Sequence, residues 1–362
     1  MLSGILKKGS PARTAALAVL SYIVLLVVIQ LLPGSAGLKG TPSAIILQGL
    51  IFGLLNALVA CGIVLIYRTS RFINFAQAAL GGIAGSFTYQ FIVADTTHAP
   101  YLLAVVVGIL VAALLGVIVE LGFVRRFFEA PRLVLMVLTI ALVSALNSAS
   151  GFVIGLPLFG DVANRSLEQQ RGTAPVPFPF RHFVFHVGKL LVPFRFQHLF
   201  AILTSIAALI GLGIFLRYSR FGVATRAAAE NAERASLLGV PVKILSTTVW
   251  AIAGAMSGLA VVMFGSVTTF QSTGLQSPEF LVGALAAAIV AKMRSIPVAI
   301  SAAIGIEILR QATKFSFKGQ AGLFNVAVFL VILIGLLLQK PKQSRSEDHE
   351  ASSWKATQEY KA

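Results

Sequence analysis

The side chains able to do chemistry are few in this sequence, and the most suggestive are amides rather than acids, bases or nucleophiles. Asn56, Asn74 and Gln77 stand inside or at the edge of long apolar stretches. A carboxamide both donates and accepts hydrogen bonds, so each could hold a polar solute or a neighbouring helix, and both readings stay open. Asn74 and Gln77, three apart, share one helix face. Acids are scarcer. Glu120 lies near Arg125 and Arg126, and Glu307 precedes Arg310 by one turn; both read as interfacial ion pairs rather than proton relays. An ion-coupled transporter usually keeps Asp, Glu or Lys at mid-membrane, and the apolar stretches are almost free of them.

Enzyme chemistry finds no matching set. There is no Gly-x-x-x-x-Gly-Lys-Ser/Thr loop, because Gly188-Lys189 lacks both the earlier glycine and the following hydroxyl. No His-Glu-x-x-His motif occurs. His182 and His186 have metal-like spacing, but their proline- and phenylalanine-rich surroundings offer no nearby Cys, Asp or Glu, so they read as loop histidines. The single cysteine, Cys61, lies within an apolar stretch and forms neither an internal disulfide nor a zinc site. The expectation is a chain that is no enzyme and holds no metal or cofactor. Energy for any active transport must come from another chain or an ion gradient.

A different kind of signal lies in residues 217–243. The alanine-rich stretch 223–238 is a strong helix former, about 24 Å long at 1.5 Å per residue. Arg226, Glu230 and Arg234 recur every four residues and support it. Gly239 stands where a helix terminates, with Pro241 just beyond. The small residues Ala228, Ala232 and Ala235 allow close docking. A capped helix with a charged stripe, tied between two apolar stretches, suits the transfer of a partner's motion. A plain solvated connection is the simpler alternative.

The elements that position these residues follow from where charge is missing. Of 362 residues, 57% are hydrophobic and 12% charged, about half the charged share of a soluble domain. Uncharged runs cover residues 14–38, 40–67, 72–94, 96–119, 133–160, 196–216, 244–278 and 319–339. Each is long enough for a spanning helix, which needs roughly 20 apolar residues. Barrel strands are about 10 residues long and alternate in polarity, whereas 102–119 is apolar on every face. The fold class is therefore all-α: a polytopic transmembrane helical bundle of about 8–10 spans, counting short or broken helices.

Charge then orders the loops. Lys7, Lys8 and Arg13 put the N-terminus inside, and Arg68, Arg71, Arg125, Arg126, Arg132 and the segment 217–243 follow on the same side. The long connection 157–195 falls outside. The run 14–32 exceeds a signal-peptide core and no Ala-x-Ala site follows, so it reads as an uncleaved first span. Two apolar stretches, 280–291 and 296–306, flank Lys292-Met-Arg294-Ser-Ile-Pro297. Read as a helical hairpin or a pair of short tilted helices, they return the C-terminus to the cytoplasm; such interrupted segments can line a substrate path. Residues 1–340 then form the membrane domain, and 341–362 a disordered cytoplasmic tail. The net charge of +16 reflects these basic loops and the membrane surface rather than nucleic acid.

On this base a family resemblance becomes specific. Arg220-Phe-Gly222-Val-Ala-Thr-Arg226-Ala-Ala-Ala-Glu230-Asn231, with Ala235 and Leu238-Gly239-Val240, resembles the cytoplasmic loop of permeases from branched-chain amino acid (Liv-type) ABC importers. Ile252-Ala-Gly-Ala-Met-Ser-Gly-Leu-Ala260 resembles the small-residue span that follows it in that family. Upstream, Gly53-Leu-Leu-Asn56-Ala-Leu, Gly62, Leu65-Ile-Tyr67 and Ile73-Asn-Phe-Ala-Gln77 resemble its glycine- and amide-bearing signatures.

The resemblance implies a type II importer permease fold and one half of a translocation pathway for branched-chain amino acids or related small polar solutes. It implies cytoplasmic ATPase subunits that use the ATP, a second permease subunit, an extracytoplasmic substrate-binding protein and a bacterial inner-membrane location. Arg220, Gly222, Arg226, Glu230, Asn231, Ala235 and Gly239 would belong to the ATPase coupling loop, with Asn56, Asn74 and Gln77 near the path. Three departures bear on the solute. Lys292 and Arg294 interrupt a usually glycine-rich stretch, Ala78 replaces a glycine, and the loop 157–195 is longer than usual. A passive channel or facilitator is the rival class.

Overall fold

The structure is a computed structural model. It describes residues 22–32, 40–93, 100–127, 130–154, 156, 178, 184–187, 193–230, 232–268, 278–317 and parts of 322–333. Most of the loop 157–195 and of the run 319–339, the tail 341–362, Asn231 and His182 lie outside the described residues. Of the first expected span, helix α1 (Tyr22–Leu31) is described.

The longest helix, α2 (Ser43–Ser70), starts after extended Pro42 and stops at Arg71, whose left-handed backbone (φ 59°) donates its N–H to the Tyr67 carbonyl at 2.9 Å. It is apolar on every side, and such a helix must be surrounded. It is, with packing against α11 (Ile296–Ser316), α9 (Val242–Val267), α10 (Pro278–Val290) and α6 (Phe196–Tyr218). Gly49 and Gly53 make the α2–α11 contact one of backbones: a Cβ on either would fall 2.6 Å from the Cα of Ile308 or Ile304. This is the close small-residue crossing that their spacing suggests.

Three more helices complete the described bundle: α3 (Gln77–Val93), α4 (Tyr101–Gly122) and α5 (Arg132–Ile154). A 3-10 turn (Val124–Phe127) follows α4. Among the described residues, six helices are long and apolar enough to cross a membrane: α2, α4, α5, α6, α9 and α11. The only described strands, Val184–Phe185 and Phe194–Arg195, form a two-residue antiparallel pair. The all-α expectation holds.

The hairpin near the C-terminus differs in one respect from its sequence reading. Its first arm, α10, is short, but α11 runs on through Glu307 and Arg310 to Ser316 and is itself long enough to span. Between the arms Lys292 (φ 55°) and Met293 (φ 54°) take left-handed conformations, a conformation that costs a non-glycine residue roughly 1–2 kcal/mol. Ser295 then caps α11, accepting from the Val298 N–H, and Pro297 sits in the first turn.

Connections alternate between the two ends of the bundle. One end gathers Arg68, Arg71, Arg125, Arg126, Arg132, Arg217, Arg220, Arg226, Lys243, Lys292 and Arg294 and is called the basic end below. At the other end the Tyr101 hydroxyl meets Ser266 Oγ at 2.6 Å, and Phe178 packs against Tyr101, Phe196 and Phe200. The outward face of α4 is a stripe of large aliphatics, Leu102, Leu103, Val106, Leu110, Leu114 and Ile118, as suits a surface against lipid. On α5 the exposed face carries Val137 and Ile140, then the small Ala141, Ser144, Ala145 and Ser148, and ends on Gly151 and the exposed Phe152.

Candidate functional site

The basic end carries an elbow between α6 and α9. Ser219 breaks α6 with an extended backbone (φ −78°, ψ 151°), and its hydroxyl accepts the Gly222 N–H at 2.8 Å. That cap starts α7 (Arg220–Glu230), three residues earlier than the alanine-rich stretch suggested. The chain can turn this sharply because Gly222 lies against the last turn of α6. A Cβ there would come 2.6 Å from the Leu216 Cα and carbonyl carbon. Arg226 then reaches back and donates to the carbonyl oxygens of Leu216 and Arg217. The unpaired carbonyls at a helix C-terminus are where a cation is most favourable. Arg226 therefore serves the end of α6, a role that its four-residue spacing with Glu230 does not show.

Downstream, α8 (Ala232–Leu237) ends on Gly239 at φ +82°. The Val240 N–H bonds the Ala235 carbonyl and the Gly239 N–H bonds that of Ser236, both at 3.0 Å. This is the paired closure of a Schellman motif, with the glycine at its required left-handed position. Ala228 and Ala235 are buried against Leu245 in the first turns of α9, beside Ala224 and Val240. The two small residues dock as their size implied. Arg68, at the end of α2, lies close enough to feel the charges of Arg226 and Arg71. Arg220 is exposed; the side chains of Glu230 and Ala232 are outside the described residues, as is Asn231. Leu237 and Leu238 stand 82% and 85% exposed at the tip of the elbow, and the sequence, which offered Leu238 only within the family motif, gave neither a role. The available signal was two leucines ending a polar, alanine-rich helix.

The three amides divide into two places. Asn74 and Gln77 come together at the start of α3, where Asn74 Nδ2 donates to Gln77 Oε1 at 3.2 Å. Asn74 Oδ1 accepts the Ala76 N–H at 3.0 Å, Gln77 Nε2 donates to the Ala253 carbonyl of α9 at 2.8 Å, and Ser257 Oγ donates to the Gln77 carbonyl at 2.5 Å. Phe75 N–H to Thr139 Oγ1, 3.2 Å, ties the same corner to α5.

Asn56 lies elsewhere, about 9 Å farther along α2 from the level of Gly62 and Gln77. Its Nδ2 donates to Glu307 Oε1 at 2.8 Å, and Arg310 Nη1 donates to the same oxygen at 3.3 Å. Glu307 is 2% exposed and Arg310 7%, so this pair is not interfacial as the sequence suggested but buried within the bundle. Gly283 of α10 closes over it; a Cβ there would lie 2.5 Å from Asn56 Nδ2. The reason is local: a carboxylate and a guanidinium one turn apart neutralise each other, and α2 supplies the third partner. The second pair behaves as expected, with Glu120 and Arg125 at 3.2 Å at the basic end.

Among the described residues no group of three His, Cys, Asp or Glu side chains could hold a metal ion. The geometry is that of a bundle with polar joints and a braced, partly solvent-facing elbow.

Comparison with known proteins agrees with this architecture. Residues 45–338 match the profile of the family described as branched-chain amino acid transport system / permease component. The chain is 27% identical over 318 residues to the probable branched-chain amino acid transport permease protein LivH of Methanocaldococcus jannaschii, covering 84% of this chain and 93% of that protein. It is 29% identical over 305 residues to the high-affinity branched-chain amino acid transport system permease protein LivH of Escherichia coli K12, covering 81% and 92%. The corresponding protein BraD of Pseudomonas aeruginosa is 26% identical over 306 residues, covering 82% and 93%. With its apolar spanning helices, this multi-pass membrane protein belongs to the permease-component family of branched-chain amino acid transport systems.

Proposed function

We propose that the chain forms half of the translocation pathway of an ATP-driven importer for branched-chain amino acids or related small polar solutes. A second permease subunit supplies the other half, ATPase subunits dock on the basic end and use the ATP, and an extracytoplasmic binding protein delivers the solute. The basic end faces the cytoplasm, with both termini, in a bacterial inner membrane. Residues 1–340 are the membrane domain and 341–362 a cytoplasmic tail.

The observation that carries this reading is the elbow. It is braced on α6 by Gly222 and Arg226 and on α9 by Ala228 and Ala235. At its tip it presents Leu237 and Leu238 almost wholly exposed. Two neighbouring leucines left bare on a polar projection offer apolar area for a recess on a partner to cover. Arg220, Gly222, Arg226, Glu230, Asn231, Ala235 and Gly239 make up this coupling loop. ATP-driven movement of the partner pushes it and, through α6 and α9, turns the pathway from one side to the other. Asn56, Asn74 and Gln77 stand near that pathway and hold its walls.

Proteoliposomes holding this chain with its ATPases, second permease and binding protein test the reading. Labelled leucine, isoleucine or valine should accumulate against its gradient only with ATP, and not when the ATPases carry an inactivated nucleotide site. Flux that equilibrates the solute without ATP would mark a passive channel and overturn the proposal.

A further inference from the structure

The elbow rests on the first turn of α9 through Ala228, Ala235 and Leu245, and the structure shows what the start of that helix is fastened to. α4 and α9 run antiparallel with their backbones in contact turn by turn. Gly116 faces the Trp250 carbonyl, Gly254 faces the Ala112 carbonyl, and Gly258 packs on the Ala112 methyl group with the Gly108 carbonyl beside it. Each step of four residues along α4 meets a step of four along α9. One rung nearer the basic end comes Glu120 opposite Thr247, and here the contact changes from packing to polar bonds. Thr247 Oγ1 donates to Glu120 Oε2 at 2.8 Å. From the turn beyond α4, Arg125 closes the group. Its Nη2 lies 3.2 Å from Glu120 Oε2, 2.6 Å from Thr247 Oγ1 and 3.2 Å from the Lys243 carbonyl, and its Nε lies 3.4 Å from Glu120 Oε1. Glu120 is buried and Arg125 half-exposed, so the cluster sits at the boundary of the bundle.

We infer that Arg125, Glu120 and Thr247 form a transmission clamp that makes α4 move with α9 as one body when the elbow is pushed. Nε and Nη2 of one guanidinium hold both oxygens of a carboxylate on α4, while the same Nη2 reaches a hydroxyl and a backbone carbonyl in the first two turns of α9; the two-point hold on the carboxylate is what lysine cannot reproduce. Without the clamp, the first turn of α9 could swing away from α4 before the glycine contacts farther along engage. The push would then be spent on local bending. Arg125 and Thr247 are positioning residues in this account. The inference rests on the importer reading above.

Two readouts on the reconstituted complex test it. Thr247→Val and Arg125→Lys should lower leucine moved per ATP hydrolysed at least about fivefold, the lower end of coupling between sites, while Thr247→Ser keeps the wild-type ratio. A purely structural role would instead lower the amount of assembled complex and leave that ratio unchanged in what survives, which overturns the clamp. The second readout needs no transport: spin labels on cysteines replacing the exposed Leu121 and Ile244 report the distance between the ends of α4 and α9, with native Cys61 buried and unlabelled. That distance should stay single and narrow in the wild type and broaden in Thr247→Val. An unchanged distribution in the variant overturns the clamp. A wild-type complex that fails to move leucine with ATP counts against the importer reading alone, because the distance comparison still decides the clamp.

Discussion

Glu307→Ala should be the most damaging single substitution in the bundle, costing about 3–5 kcal/mol of stability. The loss takes the Glu307 carboxylate from the buried Arg310 guanidinium, and removes the acceptor of Asn56 Nδ2 at the centre of α2. Removing both charges is a different matter, since apolar side chains of similar volume often replace a buried pair at little cost. The double variant Glu307→Leu with Arg310→Met should therefore recover most of the loss. Thermal unfolding of the purified protein in detergent, together with its amount in the membrane, measures both. A single variant as stable as the wild type would mean that the pair is solvated, contrary to its burial.

Gly222→Val should have the second-largest effect, and on transport more than on folding. The new side chain would strike the last turn of α6, where a Cβ would stand 2.6 Å from the Leu216 Cα. Relief requires α7 to move off α6, which also takes Arg226 from the carbonyls of Leu216 and Arg217. Overpacking of this kind costs about 1–3 kcal/mol, too little to unfold a bundle held by its spans. Leucine uptake per assembled complex should nevertheless fall roughly tenfold or more, within the range of energetic coupling between sites. Gly222→Ala should fall between. Uptake equal to the wild type in the valine variant, with the protein in the membrane, would show that the elbow does not transmit force.

Much of the bundle was legible because charges are costly in lipid, so their absence marks the spans. Gly239 was legible for an equally local reason: a left-handed residue closing an alanine-rich helix is nearly always glycine. The docking of Ala228 and Ala235 followed from their size. What failed to show was whatever depends on residues distant in the chain. α11 looked short because Glu307 and Arg310 resemble the edge of an apolar run, and their third partner, Asn56, is 251 positions away. Gly222 read as the residue before a helix; its meaning comes from the backbone of Leu216, against which it packs. Arg226 read as part of a four-residue charge spacing, and its bonds to the carbonyls ending α6 depend on a turn of the chain that spacing alone does not reveal. The clamp was half visible: Glu120 and Arg125 could be paired from the sequence, whereas Thr247 is brought to them only by the α4–α9 ladder.

On the proposed importer reading, the segment 217–243 is where an ATPase partner drives this chain. A photo-crosslinking amino acid at position 238, in place of the exposed Leu238, tests it in the assembled complex. An adduct with the ATPase subunit should form, at a yield that differs between the nucleotide-free and ATP-trapped states. Adducts with lipid alone, or the absence of any ATPase adduct from a complex that still takes up leucine, would contradict it.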